Sequence, residues 1–139
     1  MSENGWRTAH LSEIEPFPDR SPEQNAWRPI RHRLGIRAFG VNAWVAEDAG
    51  EEIIEEHDEV NPSGADNHEE LYLVLDGRAT FTVDGNEIDA PRGTLVFVED
   101  PSLVRKAVAS EPGTSVLAIG ATPGGAFRVS PWERRHIES

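Results

Sequence analysis

The chain has 139 residues, enough for one domain that removes roughly 68% of its unfolded surface from water on folding. Hydrophobic residues make up 37% and charged residues 27%, a globular composition, and thirteen Lys and Arg against twenty-five Asp and Glu give a net charge of −12. Cysteine is absent, which excludes disulfides, thiolate metal centres and a cysteine nucleophile. No apolar run approaches the roughly 18 residues of a membrane span. The opening Met1-Ser2-Glu3-Asn4-Gly5-Trp6 carries no basic-then-apolar leader pattern, so a cytoplasmic protein is expected.

The charge is concentrated. Between Arg37 and Arg78 there is no Lys or Arg, while twelve acids run from Glu47 to Asp76. The remainder is balanced, with thirteen acids and thirteen bases. Such a field repels phosphate backbones and anionic lipid, so neither nucleic acid nor a membrane is an expected partner. It favours cations, either a metal ion or a basic protein patch. A solvated acidic edge that keeps the protein soluble accounts for most of these acids.

Residues 1–34 hold Pro16, Pro18, Pro22 and Pro29 interleaved with Trp6, Phe17 and Trp27. Proline forbids a helix interior and the rings need burial, so this reads as an extended N-terminal arm lying on a core. Ile36 to Ala46 is strand-like. Glu51 to His57 is ambiguous. Its residues are good helix formers, but i,i+4 glutamates repel and its neighbours are strands, so strand is preferred. As a strand it puts Ile53, Glu55, His57 and Glu59 on one face. Leu71 to Leu75 is a short apolar run closed by Asp76-Gly77, and Ala79 to Val83 meets Asp84-Gly85, a strong hairpin signal, with Asn86-Glu87-Ile88 returning. Thr94 to Val98 and Ser115 to Ile119 are two more strands, bracketed by Gly and Pro. Short strands at regular spacing predict an all-β sandwich or barrel over residues 35–122, followed by a C-terminal tail, 123–139.

The run His68-Glu69-Glu70-Leu71-Tyr72-Leu73-Val74-Leu75-Asp76-Gly77 resembles the first motif of the cupin superfamily, which ends in a Glu, six residues and a Gly. The Thr80 to Gly85 hairpin and the Ala90 to Val98 run resemble the family's middle strands. The resemblance implies a double-stranded β-helix, or jelly roll, with a cavity for a small polar molecule or a metal between its sheets. Fold alone supplies no activity. Metal-binding cupins place a His-x-His pair just before the motif Glu, and here the ungapped positions hold no histidine. If Val60 to Asn67 is a turn-rich insertion, His57-Asp58-Glu59 takes that place. The family's second motif keeps Gly93, but Val104 and Val108 stand where its His and Asn would be, so the fourth ligand is missing.

Strand periodicity puts His68, Glu70 and Tyr72 on one face. The candidate metal set is therefore His57, Glu59, His68 and Glu70, suited to one divalent iron, manganese, nickel or zinc ion. Partly exposed edge histidines in an acidic segment are the bland alternative. A metal-free site is also open, in which Lys106 faces inward with Val104 and pairs with Glu70 for acid–base work while Tyr72 orients a ligand. A loose surface Arg105-Lys106 pair is its alternative. No Gly-x-Ser-x-Gly elbow and no phosphate loop is present. The expected protein is a cupin-like homodimer holding a small molecule, as a metal-dependent enzyme or as a metal-free sensing module. A third reading makes it an interaction protein that docks a basic partner through its acidic segment.

Overall fold

The computed structural model describes residues 4–16, 26–60, 67–130 and 132–134. The prolines Pro18 and Pro22, most of the turn-rich segment at Val60 to Asn67 and the last five residues lie outside them.

Nine strands form two antiparallel sheets among the described residues. They are β1 (Trp27–Arg28), β2 (Gly40–Val45), β3 (Glu52–His57), β4 (Glu69–Asp76), β5 (Arg78–Val83), β6 (Asn86–Pro91), β7 (Leu95–Val98), β8 (Arg105–Ala109) and β9 (Ser115–Ala121). One sheet runs β1-β2-β9-β4-β7 and the other β3-β8-β5-β6. From β2 onward every connection crosses between the sheets except the β5–β6 hairpin, which is jelly-roll topology. A short helix α1 (Ile30–Leu34) precedes β2 and packs beside it. No helix among the described residues is long and apolar enough to cross a membrane.

The hairpin expected at Asp84-Gly85 joins β5 to β6, and both residues have positive φ, 49° and 79°. That pair of conformations matches the right-handed strand twist. The arm is more integrated than expected. Its Trp27 pairs with Trp44 and its Arg28 with Ala43, so β1 is an edge strand of the first sheet. Glu52 to His57 is a strand, but not a regular one. Opposite β8, Glu52 pairs with Val108, Ile54 with Ala107 and His57 with Arg105, with register shifts between these pairs. These β-bulges reset the period-two alternation, so Ile53 and Ile54 are both buried.

The core fills the space between the sheets with Tyr72, Val74, Phe81, Val96, Val98 and several alanines, and the Tyr72 and Phe81 rings lie 5.5 Å apart. Cross-strand register sets what faces the rest of that space. Asn42, Ala118 and Tyr72 form one row across β2, β9 and β4, and Gly40, Gly120 and Glu70 form the next. Small residues in the middle of both rows leave the floor of a cavity open.

Candidate functional site in the barrel

The cavity has a volume of about 350 Å³, within the range of small-ligand sites. Its polar end is built by three strands. The β3 bulges carry His57 to a position opposite Arg105, and β4 presents Glu70 and Tyr72 on its inner face. Glu59, just past β3, is fixed by its backbone N–H, which donates to the Pro101 carbonyl at 2.8 Å.

His57 is oriented from both sides. Its Nδ1 lies 2.6 Å from the Glu55 carbonyl, so that nitrogen carries a proton and donates it there. Its Nε2 lies 3.0 Å from Glu59 Oε1 and 3.6 Å from Glu70 Oε1. Glu70 Oε1 also accepts from the Tyr72 hydroxyl and, at 2.8 Å, from the Arg105 guanidinium. Arg105 is fully buried, at 0% exposure. A charge so buried persists only when paired and hydrogen-bonded. Glu70 supplies the pairing, and the Leu103 carbonyl takes the Nε proton at 2.9 Å.

These contacts set the protonation states. Burial disfavours the charge on His57, but the Glu59 and Glu70 carboxylates and the Glu55 carbonyl outweigh it and hold its pKa at about 10. Burial dominates at Glu59 and pushes its pKa up to about 7, against the pull of His57. Glu70 is buried too, yet the His57 and Tyr72 hydrogen bonds bring its pKa below the usual carboxylate value. Burial and the adjacent Glu70 raise the Tyr72 phenol. At neutral pH the site holds an imidazolium, an ionised Glu70 and a Glu59 near its own midpoint.

The structure brings His57, Glu59, Glu70 and Tyr72 together. His57, Glu59 and Glu70 each place a ligand-type atom within 4.8 Å of the others. His68 does not join that group. It lines the same cavity, but its buried ring stacks on Phe127, with centroids 5.2 Å apart. Lys106 is displaced by its neighbour. On β8 the buried positions are Arg105, Ala107 and Ala109, whereas Val104 is exposed and Lys106 stands on the outer face. The inward alternation starts one residue later than the reading through Val104 required, and Arg105 pairs with Glu70 instead.

Three features of the site had no signal in the sequence. Arg105 looked like half of a surface pair. Asn42 lay unmarked in a strand-like run. The segment after Pro123, expected as a tail, supplies Phe127, Ser130, Trp132 and Glu133 to the cavity wall.

The donor set fits a divalent ion. One imidazole and two carboxylates are a hard-to-borderline set, and a backbone carbonyl on Nδ1 is the usual orienting partner of a metal-binding histidine. It also fits a metal-free site, because Arg105 already supplies a positive charge against Glu70.

Solved structures that superpose on this chain include cupins. A cupin protein from Bacteroides fragilis matches with a TM-score of 0.57 and 21% identity, over 84% of this chain and 93% of that one. A sugar phosphate isomerase from the cupin superfamily of Silicibacter pomeroyi matches with a TM-score of 0.60 and 16% identity, over 84% and 77%. KdgF from Halomonas sp. matches with a TM-score of 0.51 and 14% identity, over 69% and 74%. No family model and no curated protein matches the sequence. The chain therefore has the cupin fold, a jelly-roll barrel with a His/Glu/Glu group close together inside it. Identities this low speak for architecture alone.

Proposed function

We propose that the barrel binds a small polar molecule and that Glu59 exchanges a proton with it. The observation that carries this reading is a cavity-lining carboxyl whose pKa burial raises to about 7, beside a protonated imidazole. A group with its midpoint near the working pH serves as both acid and base. His57 holds its proton and stabilises negative charge that develops on the bound molecule. Glu70, fixed by Arg105 and Tyr72, keeps that imidazolium in place. The test is carbon–hydrogen exchange in heavy water, followed by proton NMR, with a panel of small hydroxy- and aminoketones. Exchange that depends on the protein and disappears in Glu59→Gln supports the reading. Exchange no faster than in buffer for every compound, or unchanged in Glu59→Gln, refutes it.

A second reading has its own support in the geometry of His57. With Nδ1 committed to the Glu55 carbonyl, Nε2 faces two carboxylates. His57, Glu59 and Glu70 would hold one divalent ion, which would supply Lewis-acid polarisation of a bound oxygen. Elemental analysis of tag-free protein after reconstitution with iron, manganese, nickel and zinc separates the readings. Close to one equivalent favours the metal centre and removes Glu59 as a proton carrier. Less than about a tenth of an equivalent leaves the acid–base site.

A further inference from the structure

The opposite end of the cavity contains buried acceptors that the charge group does not use. Asn42 lies in the same row as Tyr72 with Ala118 between them. Two inter-strand spacings separate their backbones, about 10 Å. Glu133 stands on the helical residues 132–134, where its Oε2 accepts a hydrogen bond from the Arg31 Nε–H at 3.2 Å. Asn42 is 8% exposed and Glu133 2%. Both line the cavity, and the Asn42 amide lies against the Glu133 carboxyl as a hydrogen-bond partner; Asn42 Oδ1 and Glu133 Oε1 are the acceptor atoms that this arrangement leaves unmatched among the described residues. A buried acceptor left unmatched costs about 1–3 kcal/mol, so the acceptor atoms that this neighbouring pair leaves open towards the cavity point to a donor arriving with a ligand.

The surroundings narrow the kind of donor. Trp27, Trp44 and Trp132 line this end, with Trp132 4.9 Å from Trp27 and 6.5 Å from Trp44. Indole faces attract cations. A ligand hydroxyl would bring lone pairs that need donors of their own, whereas an alkylammonium group has three N–H donors and no acceptor. The lining as a whole agrees. Among the described residues it contains the carboxyls of Glu55, Asp58, Glu59, Glu70 and Glu133 against the imidazoles of His57 and His68, with Arg105 and Arg31 paired to Glu70 and Glu133 from behind. The excess of carboxyls over cations favours a cationic ligand.

We propose that Asn42, Glu133 and the three tryptophans form a subsite for the protonated primary amine of a small ligand. This rests on the reading that the barrel binds a small polar molecule, and it places that molecule's amine end away from Glu59. Two N–H groups go to Asn42 Oδ1 and Glu133 Oε1, and the third faces the indole rings.

The test uses n-butylammonium, with n-butanol as its neutral counterpart and tetramethylammonium as a cation without N–H donors. Binding to the full chain is read by calorimetry and by tryptophan emission. The expected result is a tryptophan shift with n-butylammonium and affinity about tenfold or more above either control, the scale of one charge-assisted hydrogen bond. Glu133→Gln and Asn42→Ser should each lower that affinity about tenfold. Two variants are specified because Glu133 also pairs with Arg31, and circular dichroism verifies that each is folded. Equal binding of n-butanol or tetramethylammonium, unchanged affinity in the folded variants, or no response up to roughly 50 mM overturns the subsite. If the ketone panel still binds and exchanges when the amine preference is absent, only the subsite fails. If no compound of either set binds, the small-molecule reading fails with it.

Discussion

Replacing Arg105 with methionine removes the positive charge on which the interior of the barrel depends. The methionine keeps most of the apolar stem but leaves Glu70 without its 2.8 Å ion-pair partner and the Leu103 carbonyl without its 2.9 Å donor. Breaking a buried pair by removing one partner costs about 3–5 kcal/mol. The lower part of that range applies, because Tyr72 and His57 still face the Glu70 carboxylate. The expected loss is about 3–4 kcal/mol, or a fall in Tm of roughly 10–20 °C for a chain of this length. Urea unfolding at neutral pH measures it directly. The double variant Arg105→Met/Glu70→Gln should recover about 1–3 kcal/mol, because the stranded charge is then gone. Strict additivity of the two substitutions, or a single-variant loss below about 1 kcal/mol, would show that the pair does not carry the charge balance of the site.

The proton held by His57 makes stability pH-dependent. Its pKa is raised from 6.5 to about 10 in the folded protein, so its contribution is complete below the unfolded value and is lost as pH rises through the folded one. The stability difference between wild type and His57→Gln should therefore shrink from pH 6.5 to pH 10, and an imidazole NMR titration with a midpoint near 6.5 would contradict this. Gly77 closes the β4–β5 turn at φ +74°, where an added Cβ would lie 2.8 Å from the Thr114 Cα. Gly77→Ala should cost more than about 2 kcal/mol in urea unfolding, and a neutral result would refute that packing. At Gly120 a Cβ would meet the Glu69 carbonyl at 3.2 Å and Glu70 Cγ at 3.3 Å. Gly120→Ala should leave the chain folded but displace Glu70 into the cavity and weaken ligand binding severalfold by calorimetry. Full affinity in that variant would show that the cavity floor tolerates a methyl.

The sequence alone determined the all-β architecture, because local chemistry controls it. Period-two runs, Gly and Pro punctuation and the Asp84-Gly85 turn mark strands and hairpins without reference to distant residues. The Glu70 to Gly77 spacing, and the shared inward face of Glu70 and Tyr72, were legible for the same reason. Tertiary pairing decided the rest. The β3 bulges exist only opposite β8, and they bring His57 to face Arg105. Arg105 can be buried only because Glu70, thirty-five residues away in the chain, lies across from it. No window of sequence holds both partners, so the sequence pointed to the neighbouring Lys106 as the partner of Glu70. The contact between His68 and Phe127 and the joint presence of Asn42 and Glu133 in one cavity are likewise long-range facts. Local propensity fixes where strands run, whereas charge burial and cavity lining depend on which strands and which C-terminal residues close the barrel together.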